Sequence, residues 1–191
     1  MTWMRWTVAA ATLVAIGGAT LSLSAVTEAA KTGAPKGKLV ARGEYLVTLG
    51  GCNDCHTPGA MYGAPDMERM LSGSEVGWRG PFGVTYASNL TPDPETGIGG
   101  WSEADIVKAL KTGMRPDGSA IMPPMPWQNL ARATDEDLRA IAAYLKSIPP
   151  VKHRNPHRVP PDQAASAKGS IVDLPPPPAW DAPAGGPDGG R

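Results

Sequence analysis

Apolar positions fall along this chain in separated blocks, and each block has its own character. From Thr7 to Val26 runs a stretch rich in Ala, Val, Leu and small residues, preceded by the cation Arg5 and free of charge until Glu28. A short basic start followed by such a run predicts a secretory signal over residues 1–30, with small residues near Ala30 offering the cleavage site and a polar linker over 31–37. An uncleaved anchor is the alternative, because about 20 apolar residues suffice to span a bilayer. The many Gly, Ser and Thr residues count against it, and either outcome exports the rest of the chain.

The next apolar block, Leu39, Val40, Tyr45, Leu46, Val47 and Leu49, has helical spacing and stops at Gly50-Gly51. A second helix is predicted from Ser102 as N-cap, with Glu103 and Asp105 in its first turn, through Ile106, Val107 and Leu110 to Gly113. A third begins at Thr134, places Asp135, Glu136 and Asp137 at its positive end, buries Leu138, Ile141, Ala142 and Leu145, and stops at Pro149-Pro150. Between the first two helices, residues 57–100 read as one long loop, marked by Pro81-Phe82-Gly83 and Thr91-Pro92-Asp93-Pro94. Long ordered loops need something to wrap.

After Val151 the periodicity is lost. Residues 151–191, with the run Pro175 to Pro178 and a Gly-rich end, read as an extended or disordered tail. Composition agrees with a loop-rich chain, since 23 Gly and 21 Pro stand against one Phe in 191 residues. Lys plus Arg equals Asp plus Glu at 18 each, which excludes a net field toward nucleic acid or an anionic membrane and leaves partner steering to local patches.

The two cysteines lie together, in Cys52-Asn53-Asp54-Cys55-His56. Two thiols separated by two residues can add to the two vinyl groups of one porphyrin, and a His immediately after them reaches the iron as proximal ligand. The string therefore predicts one covalent haem c, with Cys52 and Cys55 as attachment points and His56 on the metal. A thiol-exchange dithiol would need a thioredoxin-like strand series, which is not evident. A zinc site with His153 and His157 would span nearly a hundred residues to a Pro-flanked segment, so both histidines read as exposed tail residues.

The remaining histidines lie in that tail, so a thioether is the natural sixth ligand. Of eight methionines, Met122 and Met125 sit in the proline-stiffened string Met122-Pro123-Pro124-Met125-Pro126-Trp127, where fixed backbone angles can hold a soft sulfur in place. From these residues alone, either one can be the ligand.

The order of helix, Cys-x-x-Cys-His, loop, helix, Met-Pro segment and helix over residues 38–150 resembles class I c-type cytochromes. More narrowly, Asn89-Leu90-Thr91-Pro92-Asp93-Pro94-Glu95-Thr96-Gly97-Ile98-Gly99, and Pro124-Met125-Pro126 followed by Thr134-Asp135-Glu136-Asp137, resemble the haem domains of cytochrome subunits of membrane-bound alcohol and gluconate dehydrogenases. The resemblance implies a single all-α domain over 38–150 wrapped round one haem, with first and last helices crossing near Gly43 and Tyr144. It places the axial sulfur on Met125, with Met122 second, and it offers Asn89, Trp101 and Trp127 either to the haem or to loop capping and packing. The function implied is electron transfer in the periplasm with redox protein partners, whether a dehydrogenase, an oxidase or another cytochrome. No enzymatic activity of its own is expected. The rival is a haem redox enzyme with a displaceable sixth ligand, and for it no acid or base stands beside Met125. Those dehydrogenase subunits carry several haem motifs and this chain has one.

Overall fold

A computed structural model describes residues 36–174; the expected signal over 1–30, most of the linker and the end of the tail lie outside the described residues. Helix α1 runs from Lys36 to Leu49 and breaks at Gly50-Gly51, where Gly51 takes the left-handed conformation (φ 64°) and starts the one-turn helix α2, Cys52–His56. Helix α3, Glu103–Thr112, has a complete capping box between Ser102 and Asp105, and it ends on left-handed Gly113. A short helix α4, Trp127–Leu130, leads to α5, Asp135–Ser147, capped by the Thr134 hydroxyl on the Asp137 amide. No described helix is long and apolar enough to cross a membrane.

Helices α1 and α5 cross at the expected pair of residues. A methyl group on Gly43 would lie 2.0 Å from the Ala140 carbonyl oxygen and 2.7 Å from Tyr144 Cβ, so only a bare backbone permits the approach. Below the crossing, Val47, Leu71, Ile98, Ile106, Leu138, Ile141, Ala142, Tyr144 and Leu145 form the main core. Each large side chain buried there contributes on the order of 1.5–3 kcal/mol. Lys146 holds the loop before α3 against α5 by donating to the carbonyls of Gly99 and Trp101, each at 2.8 Å.

The architecture is mainly helical but not all-α. The segment read as one long loop contains the hairpin β1, Gly77–Gly80, and β2, Gly83–Tyr86, and β1 also pairs in parallel with β3, Ile171–Asp173. A second, smaller apolar cluster of Val76, Trp78 and Ala87 sits against this sheet.

The stretch from Val151 to Leu174, expected to be part of a disordered tail, is an ordered strap. It has no periodic apolar face of its own and is held by polar and backbone bonds to the rest of the fold. Val151 N–H donates to Thr91 Oγ1 (3.0 Å), Val84 and Val159 exchange both backbone bonds at 2.8 Å, and Tyr86 Oη donates to Lys168 O (2.6 Å). His153, expected to be exposed, is half-buried with Nδ1 3.0 Å from the Ser72 carbonyl, whereas His157 is exposed as expected.

Candidate haem-binding site

The break at Gly51 puts three reactive side chains into one helical turn. Cys52 and Cys55 are three residues apart and so are neighbours on the α2 surface. Both are free and half-buried. Cys52 packs against the main core and Cys55 against the sheet cluster, which sets the two sulfurs at the seam between the two apolar groups. Burial pushes both thiols up from their ordinary range, so neither is held as the thiolate that exchange chemistry requires.

His56 is 8% exposed, and its Nδ1 lies 2.7 Å from the Ser88 carbonyl oxygen. A carbonyl can only accept, so Nδ1 carries the hydrogen and Nε2 keeps its lone pair for a metal. Burial lowers the affinity of the ring for a second proton; the Ser88 carbonyl opposes this, and the nearby charge of Arg115 adds to the lowering. The imidazole is thus neutral and oriented, the form a metal ligand needs. Its backbone is pinned as well, with Gly73 N–H donating to His56 O at 2.7 Å. The adjacent Thr57 Oγ1 accepts from Leu71 N–H at 3.0 Å, which holds fully buried Leu71 in a left-handed conformation (φ 61°) that is costly for a branched side chain.

Residues 89–99 form a self-bonded loop above this turn. Asn89 Oδ1 accepts from the Thr91 amide (2.9 Å) and hydroxyl (2.7 Å), while its Nδ2 donates to Val151 O (2.8 Å) and Thr96 Oγ1 (3.1 Å). Asp93 Oδ1 gathers the amides of Glu95 and Thr96 and the Thr96 hydroxyl, which holds its carboxyl below the usual range. Asn89 therefore fastens the loop to the strap. Trp101 packs against the main core, and Trp127 lies over Gly113, where an added methyl would meet its ring at 2.4 Å. For the two tryptophans the structure gives packing roles; Asn89 caps the loop and also borders a cavity.

That cavity holds about 310 Å³, and its walls include Ser88, Asn89, Arg115, Ser119, Met122 and the strap residues Asn155 and Arg158. Met122 and Met125 share one turn, with Met125 N–H reaching Met122 O at 3.3 Å; both are half-buried, and Met122 is the one that lines the cavity. Ser88, Arg115 and the strap had no signal in the sequence, because each meets the site through the fold and not through local spacing. Paired half-buried thiols at an apolar seam, beside a neutral oriented imidazole, fit a haem held through two thioether bonds and one nitrogen ligand.

Known proteins are similar to this chain over the residues that build the site. The model of the family described as Cytochrome c matches residues 40–149, which run from within α1 to just past α5 and include the Cys52–His56 turn. The cytochrome c subunit of a quinone-type alcohol dehydrogenase from Gluconobacter oxydans is 41% identical over 118 residues, 61% of this chain and 23% of that protein. The cytochrome c subunit of gluconate 2-dehydrogenase from Pantoea cypripedii is 36% identical over 118 residues, 61% and 25% of the two chains. The fructose dehydrogenase cytochrome subunit from Gluconobacter japonicus is 34% identical over 118 residues, 61% and 23%. This chain thus spans about a quarter of the length of each of these relatives. The match covers more than half of the chain and every helix that builds the Cys52–His56 turn and its surroundings, and by it this chain belongs to the cytochrome c family.

Proposed function

We propose that this chain is a mono-haem electron carrier that works outside the cytoplasmic membrane, exchanging electrons with a redox protein such as a dehydrogenase and transforming no substrate of its own. The observation that carries the reading is His56, buried and neutral, with Nδ1 committed to Ser88 O at 2.7 Å in the same turn as two half-buried thiols. Haem c, when bound, supplies a one-electron couple between ferric and ferrous iron. Cys52 and Cys55 would hold it covalently. His56 would be the proximal ligand, with the Ser88 carbonyl fixing the plane of the ring and strengthening it as a donor. Met125 is the proposed sixth ligand, and a thioether there favours the reduced state and raises the potential. The apolar run at residues 7–26 supports export to the periplasm, and the names of the relatives, cytochrome subunits of dehydrogenases, support a dehydrogenase as partner.

A second ligand assignment has an observation in its favour, since Met122 lines the cavity beside Ser88. Visible spectra of haem-loaded wild type, Met125→Ala and Met122→Ala, recorded with and without carbon monoxide, separate the two. Wild type and Met122→Ala are expected to stay six-coordinate, while Met125→Ala binds the gas readily and its potential falls. The reverse pattern moves the ligand to Met122. A wild type that binds carbon monoxide as readily as its variants has an open sixth site and supports a haem enzyme instead.

A further inference from the structure

The chain has no net charge, yet cations gather at the cavity beside Ser88. Arg115 approaches from the loop after α3, and Arg154 and Arg158 approach from the strap. Arg115 is half-buried; it donates to Ala120 O (2.8 Å) and Ser119 Oγ (3.3 Å), and none of the ion pairs among the described residues includes it. Burial works against its charge, so the guanidinium sits where an anion would relieve it. Arg158 donates to Phe82 O (3.1 Å), and neither Arg158 nor Arg154 is in a described ion pair. Of the two acids on the rim, Glu95 pairs with Lys152 at 2.7 Å, while Asp117 accepts from the Ser119 amide at 2.9 Å, keeps its charge and partly offsets the burial of Arg115, one anion against three arginines. A positive excess is left facing a polar cavity.

Guanidinium forks match carboxylates. A haem tied to Cys52 and Cys55 by its vinyl groups still carries two propionate carboxylates on another part of its edge, and both need pairing wherever water is partly excluded. The cavity opens beside the residue whose carbonyl orients His56 and is lined by Met122 as well as by the arginines. Resting on the haem reading of the Cys52–His56 turn, we propose that Arg115, Arg154 and Arg158 form a carboxylate cradle for the haem propionates, with the strap supplying two of its three cations. Arg154 and Arg158 lie beyond residues 40–149, the stretch that the family model matches. The three arginines are positioning residues: they hold the carboxylates ionised and keep positive charge beside the iron, which disfavours the ferric state.

The test uses the full chain with haem attached, as wild type, Arg115→Gln and the double variant Arg154→Gln/Arg158→Gln. Midpoint potentials are measured at one pH and one ionic strength, and resonance Raman spectra report the propionate bending mode. Each variant is expected to shift the ferric-to-ferrous ratio at a fixed potential about tenfold toward ferric, ~59 mV for a one-electron couple, and to move the propionate mode. Arg115→Lys should restore the potential in part without restoring the mode, because the ammonium lacks the fork. The strap pair is exposed, so the double variant reads out even where Arg115→Gln does not fold. Haem-loaded variants with wild-type potential and wild-type propionate mode overturn the cradle alone. A wild-type potential that responds to added succinate also overturns it, since the arginines are then open to free dicarboxylates. A wild type without covalent haem, judged by its pyridine haemochrome, sinks the parent reading and the cradle together.

Discussion

At Gly43 two opposing effects of one methyl group can be compared. Alanine gains up to about 1 kcal/mol over glycine in a helix interior, but here its Cβ meets the Ala140 carbonyl oxygen at 2.0 Å. The obstacle is backbone, so no rotamer relieves it, and overpacking of this kind costs about 1–3 kcal/mol. The clash should win: Gly43→Ala is expected to lower the stability of the haem-loaded protein by about 2 kcal/mol, read from urea unfolding followed by far-UV circular dichroism. An unchanged midpoint would mean that α1 and α5 part without penalty.

Among the elements, legibility in the sequence depended on whether the signal was local. Ser102 with Asp105, Gly113, Thr134 and the Gly50-Gly51 break are all read within one turn of the helix ends they define, and the structure has each of them there. The Cys-x-x-Cys-His spacing is local in the same sense. The hairpin strands are four residues long and the apolar residues of the strap are sparse, so neither had a period to detect. Their order comes from distant partners such as Val84 with Val159. Ser88 and Arg115 were missed for the same reason, because no spacing rule links them to His56. Tyr86 measures how much such long-range bonds matter, since its hydroxyl both donates to Lys168 O (2.6 Å) and accepts from Lys168 N–H (3.1 Å). Tyr86→Phe should cost about 1 kcal/mol and speed amide exchange across residues 168–174 while leaving α3 and α5 unchanged. Uniform acceleration instead would show that the strap does not open as a separate unit.

Over the whole molecule, balanced charge hides a consistent pattern in how the acids are used. Asp66 with Arg69, Asp93 with Thr96, Asp105 with Ser102, Asp117 with Ser119, Asp135 with Lys111 and Asp137 with Arg42 are each held below the usual carboxylate range by a side-chain hydrogen bond. A carboxyl with a folded value below its unfolded one contributes stability that is full above the unfolded value and lost as pH falls through the folded one. Urea midpoints are therefore expected to begin falling as pH drops below the ordinary histidine value, because buried His56 resists protonation, and to drop further below about pH 4 as the carboxyls take up protons. Asp137→Asn, which removes the charge that joins α5 to Arg42 on α1, should make that drop shallower. An identical acid profile in the variant would mean that this pair takes no part in it. The parallel pairing of β1 with β3 has a different consequence, for the order in which the fold assembles. Gly77 and Ile171 are about ninety residues apart in the chain, so closing that ring costs entropy that no nearby contact repays in advance. Helices α3, α4 and α5 can meet early through short connections, whereas the α1–α5 crossing, with Gly43 and Ala140 nearly a hundred residues apart, closes a ring as long as the sheet's, and the three-residue edge strand β3 is expected to be the first part to open.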